Sequence, residues 1–179
     1  MTDYRRNLIP GGSYFFTVAM ADRSGRLLTD NIELFRRAVA GVKRELPFDL
    51  VAMVALPEHL HCVWTLPEGD ADYPTRWKKI KACFSRGLPK EECRSASRVA
   101  KGERGIWQRR FWEHTLRDDD DFRRHVDYIH YNPVKHRHVR SVKDWPYSTF
   151  HRYVQQGVYP ADWAGGEIEE GDYGEGGVR

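Results

Sequence analysis

The chain has 179 residues, and its 29 lysines and arginines against 26 aspartates and glutamates give a net charge of +3 and a pI of about 8.8. That length favours one domain with a substantial core, and the three widely spaced cysteines, Cys62, Cys83 and Cys93, argue against a disulfide framework or a cysteine zinc cluster. Because no apolar run approaches the roughly 18 residues of a membrane span and the N-terminus lacks the apolar stretch of a signal peptide, we expect a cytoplasmic protein with free thiols.

The first half of the chain alternates strand and helix patterns. Residues 11–20, GGSYFFTVAM, are rich in aromatic and β-branched residues and predict a strand. Apolar residues at helical spacing predict a helix over residues 31–46. The nearly continuous apolar run 48–56 predicts a second strand, and a two-residue connection leads into a third strand over residues 59–66. The second and third strands are therefore expected to form a hairpin.

The second half continues this order. Apolar and lysine residues alternate at helical spacing over residues 73–84, which predicts a basic amphipathic helix. A long polar loop over residues 87–105 and a short strand over residues 109–117 follow. A third helix is expected to begin at the four aspartates 118–121 and to end at Pro133. The order βαββαβ predicts an α+β fold, a ferredoxin-like (RRM-like) antiparallel sheet with helices on one face plus a C-terminal helix.

The charge of the chain is divided between a basic body and an acidic tail. We assign residues 1–164 to a single domain and residues 165–179 to a glycine-rich tail with five acidic residues and one arginine. A segment of this composition cannot bury enough apolar surface to order itself, so we expect the tail to be disordered.

The segment PEHLHCVWTL places two histidines one residue apart in an apolar strand. Side chains alternate along a strand, so Leu60, Cys62 and Trp64 share the core face, while His59 and His61 share the other. Two neighbouring imidazoles can ligate one metal ion or hold one anion. Histidines are also common on the solvated face of a strand, so the motif alone is a weak indication of a site.

The third helix adds a second polar group to this face. At about 100° per residue, its apolar stripe is bordered on one edge by Asp121, His125, Tyr128 and Asn132. A helix packed across a small sheet can hold this edge over the two histidines, and Tyr128 and Asn132 are neighbours at i, i+4. The helix alone is more typical of an amphipathic boundary tyrosine.

Together these motifs resemble those of a known family, the single-tyrosine HUH transposases, and within it the REP-associated tyrosine transposases. The resemblance covers roughly residues 3–165 in family order and rests on the segments YRR…IPGGSYFFTV, LPEHLHCVWTLPEGD, IWQRRFWEH, HVDYIHYNPVKH and DWPYSTFHR. The HUH motif of the family falls on His59 and His61, and its Tyr-x-x-x-Asn or Tyr-x-x-x-Gln motif on Tyr128 and Asn132. Two features depart from the family pattern: Arg137 stands where glycine is common, and the loop after residue 87 is long.

The resemblance implies a metal-dependent endonuclease and strand transferase, specific for single-stranded DNA, that acts at REP-type hairpins in DNA transposition or REP mobilisation. Tyr128 on the catalytic helix is the implied nucleophile and forms a 5′-phosphotyrosine intermediate. His59, His61 and Asn132 are the implied ligands of Mg²⁺ or Mn²⁺. The implied partner is single-stranded DNA with a hairpin, bound by a monomer or homodimer. The chemistry is consistent, because a phenol with a pKa of about 10 needs an activated phosphodiester as its target.

Basic residues interleaved with aromatics in RWKKIKACFSR and WQRRFWEHTLR suit phosphate contacts beside surfaces on which bases stack. Such charges are as often a plain solvated helix face. A second His-x-His motif, His136 to His138, lies outside an apolar strand, which favours a phosphate-contacting loop over a metal site. The candidate DNA contacts are Arg5, Arg6, Arg76, Lys78, Lys79, Arg109, Arg110, Lys135 and His136.

Two other classes of function remain open at this point. A non-catalytic RRM-like module that binds single-stranded nucleic acid has the same strand order, but it needs exposed aromatics on the central strands, where this chain carries His59 and His61. A structural zinc protein needs a closed set of four ligands, and the sequence does not offer an evident one.

Overall fold

The structure is a computed structural model that describes residues 6–90, 95–166 and 171–175. Its helices and strands are, in chain order, β1 (Ser13–Ala19), α1 (Leu27–Asp30), α2 (Ile32–Glu45), β2 (Asp49–Ala55), β3 (His59–Thr65), α3 (Tyr73–Gly87), α4 (Ala96–Ala100), β4 (Trp112–Thr115), α5 (Asp119–Lys135), a 3₁₀ turn (Val142–Asp144) and α6 (Phe150–Gln155). No helix within these ranges combines the length and the apolar character needed to cross a lipid bilayer.

The four strands form one antiparallel sheet in the order β2-β3-β1-β4. This is the expected α+β arrangement, with the strand order of a ferredoxin-like sheet. The central strands β1 and β3 pair along their whole length, so that Ala19 lies opposite His59 and Thr17 lies opposite His61. The two histidines therefore sit in the middle of the sheet and not at an edge.

Helices cover both faces of the sheet, α2 and α3 on one side and α5 on the other. On the first face, Phe16 and Trp64 pack against Trp77 of α3, and the two indole rings stack with centroids 4.3 Å apart. On the second face, Phe15 and Val63 pack against the apolar stripe of α5. The predicted alternation along β3 is confirmed, but its second face is buried as well, so the central strands offer no open RRM-like platform.

The cysteines follow this layering. Cys62 lies in the core under α2 and α3, and burial raises the pKa of its thiol. Cys62 and Cys83 are free thiols, as expected, and Cys93 lies outside the described residues.

Two segments differ in extent from the sequence prediction. The predicted loop over residues 87–105 contains a short helix, α4. The predicted strand over residues 109–117 is only the four residues Trp112–Thr115. β4 is an edge strand that pairs with β1 alone, opposite residues 14–17, so the strand ends where this ladder ends.

Arg76 is buried, although the sequence suggested a DNA contact. Its guanidinium is 2.6 Å from Asp70 Oδ2 and donates to the carbonyl oxygens of Leu46, Pro47 and Asp72. These bonds tie the end of α2 to the beginning of α3. Because its donors point into the protein, this geometry does not favour a role for Arg76 in DNA binding.

α5 continues through Pro133 to Lys135, so the prediction that Pro133 ends the helix is wrong. A proline removes one helical donor, but near the end of a helix few bonds remain to be lost. The last turn closes in a Schellman arrangement, in which His138 N–H donates to Pro133 O and Arg137 N–H donates to Val134 O. Arg137 has a φ of 59°, the left-handed conformation that favours glycine. Its position explains why glycine is common here in the family.

We expect Arg137→Gly to stabilise the fold by about 0.5–1 kcal/mol. Relief of left-handed strain of about 1–2 kcal/mol outweighs the added flexibility of the unfolded chain. Urea unfolding of Arg137→Gly and Arg137→Ala separates this effect from the loss of the side chain, because alanine keeps the strain. Equal stability of the two variants would show that the backbone at this position is not strained.

Candidate active site

β3 places His59 and His61 on the face of the sheet that α5 covers. Both side chains are fully buried, and their ring centroids are 4.9 Å apart. The strand period of two residues brings the rings side by side, and the packing of α5 excludes water from them. The pair is therefore part of a closed site and not of a solvated sheet face.

Each histidine is held by a hydrogen bond at its Nδ1 atom. Glu58 Oε1 lies 2.9 Å from Nδ1 of His59. Thr17 Oγ1 lies 2.8 Å from Nδ1 of His61 and donates its own hydrogen to the carbonyl of Tyr173. Because the threonine hydrogen is used, Nδ1 of His61 must be the donor to Thr17. Burial alone would raise the pKa of Glu58, but the hydrogen bond and the attraction from His59 hold it below its usual range.

This arrangement leaves the Nε2 atoms of both rings available. Both atoms are buried and have no hydrogen-bond partner among the described residues, and the same holds for Oδ1 of Asn132. Burial lowers the pKa of His61 to about 3, so this ring is neutral at physiological pH. Neutral imidazoles that donate from Nδ1 to an oxygen and present Nε2 as a lone pair are suited to binding a metal ion.

α5 brings three polar groups to the histidines at successive turns. Tyr128, Asn132 and His136 follow each other at i, i+4 and i+8, and the Tyr128 ring centroid is 5.4 Å from that of His61. Tyr128 and Asn132 are almost completely buried. Tyr131 lies elsewhere, with its ring against the backbone of Gly165. The structure thus brings together the two motifs that the sequence singled out, and it separates the two tyrosines.

The acidic tail enters this site. Oε1 of Glu175 accepts hydrogen bonds from the Tyr128 hydroxyl and from Asn132 Nδ2 at 3.0 Å, and it lies 3.3 Å from His61 Nε2. The ring of Tyr173 stacks on that of Tyr128 with centroids 3.6 Å apart. This placement differs from the disorder that the composition predicts for residues 165–179, of which residues 165, 166 and 171–175 are described.

Gly174 allows the tail to take this course. Its φ is 72°, and a Cβ atom at this position would lie 2.5 Å from Cγ of Trp112. Only glycine combines this backbone conformation with so close an approach. The tail therefore fits the cleft between β4 and α5 by virtue of a single residue without a side chain.

Electrostatics favours an anion beside Tyr128. Burial alone would raise the pKa of Glu175, but hydrogen bonds from His136, Lys135 and Tyr128 hold it far below its usual range. Burial and the adjacent Glu175 carboxylate raise the pKa of Tyr128 well above that of a free phenol. Nζ of Lys135 lies 2.8 Å from Glu175 Oε2 and 3.0 Å from the Tyr128 hydroxyl. The site is a closed pocket of donors built around one negative charge.

The chain is similar to known proteins along nearly its whole length. The REP-associated tyrosine transposase of Escherichia coli (strain K12) is 51% identical over 165 residues, which cover 92% of each chain. A protein of the same family name from Haemophilus influenzae (strain ATCC 51907 / DSM 11121 / KW20 / Rd) is 51% identical over 167 residues, 92% of this chain and 94% of the relative. The chain belongs to the REP-associated tyrosine transposases.

The fold agrees with this assignment. A solved structure of a REP-associated tyrosine transposase bound to a REP hairpin has a TM-score of 0.84 to this chain, with 49% identity and 98% of both chains covered. No family model matches the sequence. The resemblance stated from the sequence motifs is confirmed, and so is the class of enzyme, a tyrosine transposase.

The sequence patterns did not predict that several residues lie in the site of this transposase. His136 was expected in a phosphate-contacting loop, but it lies with His59 and Glu175 in a group whose potential ligand atoms are within 4.8 Å of one another. Its spacing of four residues from Asn132 is a signal that could have placed it there. No sequence pattern predicts the contacts of Thr17 and Glu175 with His61, because these residues are far from His61 in the chain.

A second polar cluster of the transposase lies near the beginning of α5, before Tyr128. His114, Asp121 and His125 also offer potential ligand atoms within 4.8 Å of one another. Asp121 Oδ2 is 2.9 Å from Nε2 of His114, and Nδ1 of His125 is 2.7 Å from the Asp121 carbonyl. Hydrogen bonds account for these contacts, so the cluster serves to join β4 to α5.

The candidate DNA contacts fall into distinct places. Lys135 and His136 line the site itself, and Arg110 borders a small cavity beside His59. Lys79 forms an ion pair with Glu45. Three further candidates, Arg6, Lys78 and Arg109, line a large basic cavity on the other side of the sheet. Arg5 lies outside the described residues.

We expect Glu58→Gln to weaken Mn²⁺ binding by about 10–100-fold, because a carboxylate that accepts from Nδ1 orients a histidine ligand and makes it more basic. Isothermal titration calorimetry with Mn²⁺ measures the affinity. Glu68→Gln, which changes an exposed carboxylate, is the control and should bind as the wild type does, and His61→Ala should abolish binding. Unchanged affinity in His61→Ala would show that these rings do not hold the metal.

Proposed function

We propose that this transposase cuts and rejoins single-stranded DNA beside REP-type hairpins through a covalent bond to Tyr128. The observation that carries the proposal is the convergence of donors from Tyr128, Asn132 and Lys135 on one carboxylate, that of Glu175. A scissile phosphate has the same sign of charge and the same type of acceptor atoms as this carboxylate. The donors that bind Glu175 can therefore bind the phosphate in its place.

The substrate class follows from the comparison and from the shape of the site. The solved relative of 49% identity is bound to a REP hairpin, which supports a hairpin substrate for this chain. Tyr128 is almost completely buried between α5 and the sheet. A paired strand cannot reach so enclosed a hydroxyl, so we infer that the phosphate lies in an unpaired segment beside the hairpin.

The donor set fits a divalent metal ion. His59 Nε2, His61 Nε2 and Asn132 Oδ1 are buried, and none has a hydrogen-bond partner among the described residues. Two imidazole nitrogens and one amide oxygen suit Mn²⁺ or Mg²⁺, and open positions remain for the substrate. An ion held by these residues would polarise the phosphate and would stabilise the charge that develops on it.

Tyr128 then acts as the nucleophile. Its oxygen loses its proton to solvent and forms a bond to phosphorus, the bond from phosphorus to the 3′ oxygen breaks, and the departing oxygen takes up a proton to become a 3′-hydroxyl. Lys135 Nζ, 3.0 Å from the phenol oxygen, favours the deprotonated phenol once Glu175 has left. The product is a 5′-phosphotyrosine.

The covalent product keeps the phosphodiester bond energy. A 3′-hydroxyl of another strand can attack the phosphotyrosine, which releases Tyr128 and joins the two strands. The exchange replaces one phosphate ester by another, so it needs no ATP. This reversal accounts for strand transfer by a single tyrosine.

We expect Tyr128→Phe to abolish the protein–DNA adduct with labelled single-stranded hairpin DNA and Mn²⁺, because it removes the nucleophilic oxygen and keeps the ring. Tyr131→Phe is the matched control, since Tyr131 packs against Gly165 and away from the histidines. Denaturing gels and peptide mapping measure the adduct. An adduct mapped to Tyr131, or equal cleavage of a fully paired duplex, would overturn the proposal.

We expect Glu175→Ala to raise the initial rate of adduct formation severalfold, because the carboxylate occupies the donors that the phosphate needs and must leave first. Asp162→Ala removes an exposed carboxylate that lies outside these contacts, and it should leave the rate close to that of the wild type. A time course of adduct formation measures both variants. A slower rate in Glu175→Ala would mean that Glu175 takes part in the reaction and does not compete with the substrate.

A further inference from the structure

A large basic cavity lies between α3 and residues 98–111, on the opposite side of the sheet from Tyr128. Its volume is about 740 Å³, and seven lysines and arginines line it against one acidic residue, Glu103. None of these seven belongs to the site of Tyr128. Such an excess of positive charge around a concave surface favours an anionic ligand.

Lys81 is one of the partly buried cations of this cavity. Its Nζ atom donates to Gln108 O at 3.0 Å and lies 5.3 Å from the centroid of Phe111 and 5.9 Å from that of Trp107. No carboxylate of the described residues lies within ion-pair distance of it. Burial, followed by repulsion from Arg6, lowers the pKa of Lys81 to about 8. A partly buried ammonium that has aromatic rings and one carbonyl oxygen around it, and no carboxylate, favours an anion that comes from outside.

Aromatic side chains form part of the cavity wall. Trp77, Trp107 and Phe111 all line it. The indole N–H groups of both tryptophans are buried and have no acceptor among the described residues. A buried indole N–H normally has an acceptor, so these two also indicate a ligand with acceptor atoms.

The cavity shares two lining residues with the small cavity beside His59. Gln108 and Phe111 line it and also line the small cavity that contains His59 and Glu175. Arg110, an exposed residue between them in sequence, borders the small cavity. The segment from Gln108 to Phe111 is thus a shared rim, over which one strand of DNA can pass from the large cavity to Tyr128.

We propose that this cavity binds unpaired nucleotides of the substrate strand, with Lys81 on a phosphate and a base against Trp107 and Phe111. The inference rests on the proposed function for its substrate and adds the place where the unpaired strand is held. Cations together with aromatic faces are the combination by which proteins bind single strands, because every base has a face that can stack. A duplex stem does not fit this chemistry, since its bases are already stacked on each other.

The test compares two probes in metal-free buffer, where no cleavage occurs: a bare DNA hairpin and the same hairpin with an unpaired extension of eight nucleotides on either side. Fluorescence anisotropy measures their affinity. We expect the extension to tighten binding to the wild type about tenfold, and Lys81→Gln to lose most of this gain without weakening the bare hairpin. Lys43→Gln, on the exposed side of α2, is the matched control and should keep the gain.

Lys78→Gln is a second variant, which keeps the test valid if Lys81→Gln does not fold. Lys78 is exposed at the rim of the cavity, so its replacement should leave the fold intact. It should reduce the gain severalfold. No gain from the extension, or an equal loss for both probes in Lys81→Gln and Lys78→Gln, would overturn the proposal; the second result would indicate the stem as the occupant. Because the test measures binding alone, a missing Tyr128 adduct would refute the catalytic proposal and leave this one standing.

Discussion

The packing of α5 across the second face of the sheet is the contact on which the rest of the molecule depends. Val126 and Ile129 of the helix lie in one core with Phe15 and Val63 of the central strands. This apolar contact fixes the rotation of α5 about its axis, and the rotation decides which side chains face β3. Tyr128 meets His61 for this reason, whereas Tyr131, three residues on, does not. The hydrophobic effect thus supplies the precision that the chemistry requires.

Burial has a second consequence, which is electrostatic. The site contains the neutral imidazole of His61, donors from Asn132 and Lys135, and one carboxylate that is held as an anion by four hydrogen bonds. In a dry pocket each of these interactions is stronger than in water, and a donor without a partner is costly. The tail satisfies the donors in this structure, and the substrate phosphate replaces it in the proposed reaction. The same donors serve both, because they recognise charge and acceptor atoms and not a particular group.

In the functions proposed above, the two faces of the sheet have different roles on DNA. The face under α5 contains the proposed nucleophile and the potential metal ligands, and the side of α3 contains the basic aromatic cavity. Residues 106–108 lie beside the end of β1, with Gln108 N–H bonded to Ala19 O, and Ala19 is opposite His59. One short segment next to an edge of the sheet therefore separates the two regions. Its position would link the proposed binding of an unpaired strand to the proposed place of cleavage.

The sequence by itself determined the local features of this protein. The period of two along β3 identified His59 and His61 as neighbours on one face, the period of 3.6 along α5 paired Tyr128 with Asn132, and the order of the segments gave the ferredoxin-like sheet. The tertiary structure decided which charged groups meet. Arg76 is used inside the protein, Glu175 is brought from the far end of the chain to Tyr128, and Lys81 is enclosed by rings from a distant segment. Periodicity reports only the direction of a side chain within its own helix or strand, whereas these contacts depend on how separate segments pack, which no local pattern encodes.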